Sequence, residues 1–193
     1  MLCRAAVGAG LAASVGGCRG WLPAPPAGGR FAKTRRLMGA PWTITVQAPA
    51  AAAGEAAIEA GFAEVERLNG ILSDYDPDSE LCRLSAAAPT AQPVAVSTDL
   101  WNVLQRAVMV RDATGGAFDP TVGPLTTLWR QARRTGRLPR PDRLAAARAA
   151  VGAGALVLVP ERRAVLLPRP GTRLDLGGIG TVSYTHLTLP TKA

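Results

Sequence analysis

The spacing of apolar residues changes along the chain between the period of a helix and the period of a strand, and this change most limits its fold. Residues 54–72 carry apolar side chains at helical spacing, namely Ile58, Phe62, Val65, Leu68 and Leu72. Residues 42–46 instead alternate apolar and polar side chains, which is typical of a half-buried strand. The two patterns together predict an amphipathic helix that covers a sheet.

The rest of the chain predicts further helices and strands without a regular βαβ repeat. The predicted elements are a helix from an N-cap at Ser97 to Ala113, a helix over 142–151, and strands over 156–159, 165–167 and 174–176. The strands over 156–159 and 165–167 form a hairpin. This mixture predicts an α+β fold class, with mixed sheets and covering helices.

Composition excludes several classes of site. The 193 residues carry a net charge of +8, but 20 of the 22 cations are arginines spread over the chain with few aromatic residues between them, so we expect no nucleic-acid binding. Three cysteines are too few and too scattered for a disulfide framework. The single histidine, His186, excludes zinc sites built on histidine pairs.

The first 17 residues have a basic start and a small-residue apolar stretch, which favours an export signal over a disordered leader. Cys18 ends a sequence similar to a bacterial lipobox, in which the cysteine thiol becomes lipidated, although Gly16 fits that pattern poorly. Residues 18–36 contain a Pro-Ala-Pro-Pro run and are predicted to be a tether between anchor and domain.

Residues 181–193 differ from everything before them. They read TVSYTHLTLPTKA, which is Thr-rich and resembles the translation of a transposon-end sequencing adaptor. A genuine short polar tail is the alternative. We expect the natural sequence to depart from this one at about Gly180, so that residues 37–180 form the N-terminal portion of a longer domain.

Three polar segments interrupt the apolar pattern, over residues 72–81, 114–124 and 174–180. The first is either a solvated turn with Ser79 capping a helix, or a loop in which Tyr75 offers a flat face to a ring system. The second is rich in glycine and proline and carries Asp119, which favours a binding loop over a simple connection. The third places Asp175 at a predicted strand end, before a glycine turn that could hold an anion or ligate a cation.

These segments, read in order, resemble the ApbE family of FAD:protein FMN transferases. The matching residues are Met38-Gly39, Ser73-x-Tyr75-x-x-x-Ser79-Glu80-Leu81, Thr114-x-Gly116-Ala-Phe-Asp-Pro-Thr-Val-Gly-Pro-Leu125 with Trp129, and Asp175-Leu-Gly-Gly-Ile179. The resemblance covers about residues 37 to 180. It implies an enzyme that splits FAD with Mg²⁺, attaches FMN through its phosphate to a threonine of a target flavoprotein, and releases AMP.

The resemblance also implies roles for individual residues and a location. Residues implied to bind FAD are Met38, Tyr75, Ala117, Phe118, Asp119 and Asp175. The backbone carbonyl of Gly178 is implied to ligate the metal. Many family members are exported and lipid-anchored, so we expect the periplasmic side of the bacterial inner membrane, with Cys18 as the anchor.

The sequence departs from the family after Gly180. Thr181 stands where the family commonly has lysine, and the downstream motifs that supply a histidine-containing segment and an Asp and Thr for the metal are absent. His186 lies in the anomalous tail and is not assigned as the base. We therefore expect this chain to be catalytically inactive and poorly folded. The alternative function is an FAD-binding or FAD-hydrolysing lipoprotein that does not modify proteins.

Overall fold

A computed structural model describes residues 28–37 and 40–179. The predicted signal, Cys18 and residues 181–193 lie outside the described residues. The elements in chain order are β1 (Gly29–Leu37), β2 (Ala40–Ala48), α1 (Ala51–Leu72), α2 (Glu80–Ala86), β3 (Val94–Ala95), α3 (Thr98–Ala113), α4 (Gly123–Thr135), α5 (Pro141–Ala149), β4 (Val157–Val159) and β5 (Ala164–Leu166). The predicted α+β class is confirmed.

An antiparallel hairpin of β1 and β2 packs against α1. Its register pairs Phe31 with Val46 and Arg35 with Trp42. Strand β2 contains the predicted strand, whereas β1 takes up residues 29–36 of the segment predicted as a tether. The alternation of inward and outward side chains in β1 is hard to see in the sequence, because one inward position is an arginine. The guanidinium of Arg35 lies over the ring of Phe62, at 4.6 Å from the centroid, where an apolar side chain would be expected.

The main hydrophobic core lies between α1, α2, α3 and the second sheet. The five apolar residues that predict α1 are all buried, with Phe62 and Leu68 fully inaccessible. Helix α3 begins as predicted, because the side chain of Ser97 accepts a hydrogen bond from the backbone N–H of Leu100. Its buried face carries Leu100, Trp101, Val103, Leu104 and Ala107.

The second sheet has three short antiparallel strands in the order β3-β5-β4. The predicted hairpin is confirmed, with Leu158 opposite Val165 and a 3₁₀ turn over Pro160–Arg162 between β4 and β5. Arg163 follows this turn in the left-handed conformation, at φ 45°.

The predicted strand over 174–176 is wrong. Among residues 28–37 and 40–179 no strand pairs with the segment, and the backbone N–H groups of Leu174 and Asp175 donate instead to the side chain of Ser85 and the carbonyl of Pro120. Leu174 and Leu176 are both buried in the core. A single parallel bridge between Val122 and Arg173 is the ladder pairing seen next to this segment.

Helix α4 was not predicted, and it shortens the predicted loop over 114–124 to residues 114–122. Pro124 lies in its first turn, where a missing N–H costs little, and the helix ends at Gly136, which has φ 67°. Its apolar residues Leu125, Leu128, Trp129 and Ala132 follow helical spacing, with arginines and threonines on the other faces. None of the helices in the described ranges has the length and hydropathy that crossing a membrane requires.

Two glycines of α1 should respond oppositely to substitution by alanine. A Cβ at Gly54 would lie 2.4 Å from Cδ2 and 2.7 Å from Cγ of Phe31, so Gly54→Ala should lower the free energy of unfolding by about 1–3 kcal/mol. Gly70 has nothing within 4 Å of its added Cβ, so Gly70→Ala should raise it by about 0.5–1 kcal/mol. Urea unfolding followed by circular dichroism measures both. Equal effects would contradict the packing of β1 on α1.

Acid should weaken the attachment of β1 to α1. The Nζ of Lys33 and Nη2 of Arg35 donate to Glu59 at 2.6 and 2.5 Å, and these hydrogen bonds hold its pKa below 4.5. A lowered folded-state pKa stabilises the fold above the unfolded-state value and loses this effect as the pH falls through the folded value. The stability difference between wild type and Glu59→Gln should therefore shrink between pH ~6 and ~3.

Glu55→Gln is the matched control, because Glu55 is exposed on the same helix and forms no ion pair within the described ranges. If both variants lost the same free energy of unfolding at every pH, the ion pairs of Glu59 with Lys33 and Arg35 would not stabilise the fold.

Candidate functional site

The guanidinium of Arg130, on α4, joins two of the three polar segments. Its Nη1 donates to Oδ2 of Asp74 at 2.5 Å, and its Nη2 donates to Oδ2 of Asp175 at 3.0 Å. Helix α4 itself follows the glycine-rich loop over 114–122. The fold therefore brings together all three segments that the sequence marks as polar interruptions.

Asp175 is held in one orientation by neutral and charged donors. Its side chain is 8% exposed, and its Oδ2 also accepts from the hydroxyl of Thr126 at 2.8 Å. Its Oδ1 accepts from the backbone N–H of Gly177 at 2.9 Å. Its own N–H donates to the carbonyl of Pro120 at 2.8 Å. Residues 177–179 are helical, and Asp175 therefore fixes the start of this helical turn beside the central loop.

Tyr75 presents an open aromatic surface on a turn that leads into α2, which Ser79 caps, so both alternatives for residues 72–81 agree with the structure. The residue is 74% exposed, and the guanidinium carbon of Arg130 lies 4.3 Å from its ring centroid. The turn beneath it is set by Ser73, whose hydroxyl accepts from the N–H groups of Tyr75 and Asp76. One face of the ring is thus backed by a cation, and the rest of the ring is accessible to a ligand.

Opposing effects set the charge state of Arg130. Partial burial disfavours the charged guanidinium, but the hydrogen bond to Asp74 and the charges of Asp74 and Asp175 raise its pKa above the ordinary value. Arg130 therefore stays charged at any pH at which the protein folds.

The central loop leaves one carboxylate oxygen available. Gly115 and Gly116 have φ of 59° and 86°, which the turn out of α3 requires. Asp119 uses Oδ1 to accept from the N–H and hydroxyl of Thr121 at 2.8 and 2.6 Å. Its Oδ2 has no hydrogen-bond partner in residues 28–37 and 40–179, so it can accept from a ligand.

The third segment touches this loop through Gly178. A Cβ there would lie 3.2 Å from Cε2 of Phe118, so the glycine allows the aromatic ring to sit against the backbone. Of the residues implied to bind FAD or metal, Tyr75, Phe118, Asp119, Asp175 and Gly178 lie in this connected cluster. Ala117 is exposed beside Phe118, and Met38 lies outside the described residues.

Sequence reasoning missed the residues that hold the cluster together, namely Asp74, Thr121, Thr126 and Arg130. Thr126 and Arg130 are four residues apart and so share one face of a helix. If α4 had been predicted, that spacing would have indicated a polar face on it. In the structure this face contacts Asp175.

The described residues do not form a cation site on their own. No group of three or more His, Cys, Asp or Glu side chains in residues 28–37 and 40–179 could hold a metal ion. Both oxygens of Asp175 are engaged by donors, including a cation. Within this part of the chain, the carboxylate of Asp175 therefore serves its hydrogen-bond donors first.

Comparison with known proteins agrees with this geometry. Residues 38–183 match the ApbE family. The chain is 35% identical over 136 residues to the FAD:protein FMN transferase of Treponema pallidum, covering 67% of this chain and 37% of that protein. It is 33% identical over 116 residues to the enzyme of the same name from Haemophilus influenzae, covering 58% and 34%.

The fold agrees as well. The flavin transferase ApbE from Vibrio cholerae superposes with a TM-score of 0.75 at 27% identity, over 83% of this chain and 52% of that one. The chain thus spans between a third and about half of the length of these relatives.

Removing Arg130 should destabilise the fold through Asp175. Arg130→Met leaves a buried carboxylate without its cation, so the free energy of unfolding should fall by about 1–3 kcal/mol. Arg133→Met, an exposed position on the same helix, should change it by less than about 0.5 kcal/mol. Adding Asp175→Asn to Arg130→Met should recover part of the loss in urea unfolding. If the changes in the free energy of unfolding for Arg130→Met and Asp175→Asn alone add up to that of the double variant, the two residues are not coupled.

Proposed function

The chain belongs to the ApbE family, and on that premise we propose that it is part of an FAD:protein FMN transferase. In the presence of Mg²⁺ the whole protein breaks the diphosphate bond of FAD, and AMP leaves. The phosphate of FMN forms a new ester bond with a threonine hydroxyl of a target flavoprotein. The proton of that hydroxyl passes to a base. The convergence of three family motifs is the observation that carries this proposal, since Arg130 joins Asp74 to Asp175 and the N–H of Asp175 donates to Pro120 of the central motif.

The described residues fit the flavin half of this task. The accessible ring of Tyr75, backed by a cation, suits stacking against a flat heteroaromatic ring. The free Oδ2 of Asp119 suits acceptance of an N–H or hydroxyl of the cofactor. Asp175 contributes by holding the helical turn over residues 177–179, in which Gly178 lies against Phe118. On the family resemblance, we propose the carbonyl of Gly178 as a metal ligand.

The phosphate half of the task needs residues beyond the described ranges. Apart from the Gly178 carbonyl, the described residues offer no ligand set for Mg²⁺ and no histidine to take the threonine proton. We propose that the base and the other metal ligands belong to the part of the relatives that this chain does not cover. On this proposal the 193-residue chain folds around the core of the described residues, against the expectation of poor folding, and it binds FAD but does not transfer FMN.

The second candidate is a lipoprotein that binds or hydrolyses FAD without modifying proteins. The groups suited to the flavin ring, Tyr75 and Asp119, would serve this function equally well. For either function we propose a periplasmic location with Cys18 as a lipid anchor, on the N-terminal sequence alone.

Incubation with FAD, Mg²⁺ and a threonine-bearing flavoprotein separates these functions. The 193-residue chain should leave the acceptor unmodified, while a longer form that continues with the family sequence after residue 180 should attach FMN covalently. Mass spectrometry of the acceptor and chromatography of AMP are the readouts. Free FMN and AMP without a modified acceptor would favour the hydrolase, and unchanged FAD would favour a binding protein.

Paired variants of one residue check that FAD occupies the described cluster. Tyr75→Leu removes the ring and should weaken FAD binding about tenfold, whereas Tyr75→Phe keeps the ring and should bind nearly as wild type. Quenching of flavin fluorescence on titration measures the affinity. If both variants bind as wild type, FAD does not stack on Tyr75.

A further inference from the structure

The positive charge of the chain is concentrated in the hairpin formed by α4 and α5. Residues 130–148 contain seven arginines and one acidic residue, Asp142, so this stretch holds +6 of the net charge of +8. The other 174 residues carry only +2, because their cations are nearly balanced by acids. An arginine-rich composition alone would not place the excess in one hairpin.

Most of these arginines are exposed and available. One of the seven, Arg130, binds Asp74 and Asp175 in the candidate site, which is called the flavin cluster below. A second, Arg140, pairs with Asp142 at 3.1 Å. The others, which are exposed and form no ion pair within the described ranges, are Arg133, Arg134, Arg137, Arg143 and Arg148. Charges of one sign held together without counter-charges create a local potential that attracts an anionic partner.

The hairpin also holds a concave pocket of about 460 Å³, at the turn between its helices. Its apolar lining includes Leu128, Leu138 and Pro139, and its charged lining includes Arg137, Arg140 and Arg143. Leu138 is 80% exposed, although it is a large apolar residue. An apolar floor with an arginine rim fits an apolar side chain that has carboxylates on either side.

The pocket lies on the helix that also holds the flavin cluster. Thr126 and Arg130 of α4 contact Asp175, while Gln131 and Thr135 of the same helix line the pocket. Five residues of helix span about 7.5 Å, so one protein surface can cover both. An acceptor that delivers a hydroxyl to the flavin cluster would therefore meet the hairpin as well.

We propose that this hairpin is the docking surface for the acceptor flavoprotein, and that it takes an acidic segment of that protein with one exposed apolar side chain. The inference rests on the proposed function, because only a transferase needs to hold a second protein beside its flavin. The arginine rim steers the acidic segment, and the pocket at Leu138 fixes its register.

Two other anionic partners fit the hairpin less well. A membrane surface would require a broad apolar face next to the arginines, whereas the pocket is concave and Leu128 is turned into the fold at 7% exposure. A nucleic acid would require several aromatic residues for stacking, and α4 and α5 contain one, Trp129, which is 47% exposed.

The first experiment uses the 193-residue chain and a fluorescent peptide in which Glu and Asp flank a single Leu. Anisotropy should show binding that weakens steeply between ~0.05 and ~0.5 M salt. The triple variant Arg133→Gln, Arg137→Gln, Arg143→Gln should bind about tenfold more weakly. The matched control, Arg36→Gln, Arg106→Gln, Arg162→Gln, removes the same charge from exposed arginines elsewhere and should bind as wild type.

Further probes decide the nature of the partner. Leu138→Ser should weaken binding of this peptide but not of an otherwise equal peptide that lacks the Leu. Equal binding by the two triple variants would overturn the proposal. Stronger binding to phosphatidylglycerol vesicles or to single-stranded DNA than to the peptide would overturn the assignment of an acidic protein segment.

The second experiment uses the longer, active form of the transferase. The hairpin triple variant should raise KM for the acceptor about tenfold, with KM for FAD and kcat unchanged. Absence of flavinylation by the unmutated enzyme would refute the proposed function. Normal flavinylation with an unchanged acceptor KM in the triple variant would instead refute the docking surface and leave the function standing.

Discussion

The site depends on one guanidinium that is shared between two carboxylates and one aromatic ring. Arg130 can do this because its donors form a rigid planar fork while its face remains free to stack, which an ammonium group could not reproduce. Asp74 and Asp175 lie 101 positions apart in sequence, and without the cation between them they would repel. The position of Tyr75 relative to the central loop follows from this shared contact.

The sequence is most informative where structure depends on neighbours in the chain. Apolar spacing predicts α1 and its buried face, a serine predicts the start of α3, and motif order predicts that Tyr75, Phe118 and Asp175 belong to one site. Long-range contacts decide the rest. Residues 29–36 pair with a strand that follows them, and residues 174–176 pair with side chains and loops instead of a strand, so a local apolar pattern mispredicts both.

Helix α4 serves two surfaces beside its apolar one. Thr126 and Arg130 are polar because they bind Asp175, and the arginines of its last turn face solvent. An apolar stripe at helical spacing is present as well, formed by Leu125, Leu128, Trp129 and Ala132. The start of the helix was missed because its first two residues were assigned to the loop over 114–124, so the stripe after them was not used to predict a helix.

The hydrogen bonds of Asp175 separate binding from chemistry within the site. A carboxylate ligates a cation by giving it a lone pair, but here Oδ2 accepts from Thr126 and Arg130 and Oδ1 accepts from Gly177. Ligation through Oδ2 would require breaking a charge-assisted bond in a site where the side chain is 8% exposed, and such bonds are among the stronger ones. Oδ1 accepts one hydrogen bond, from Gly177 at the start of the helical turn over residues 177–179, so it holds this turn in place and keeps a lone pair for a ligand.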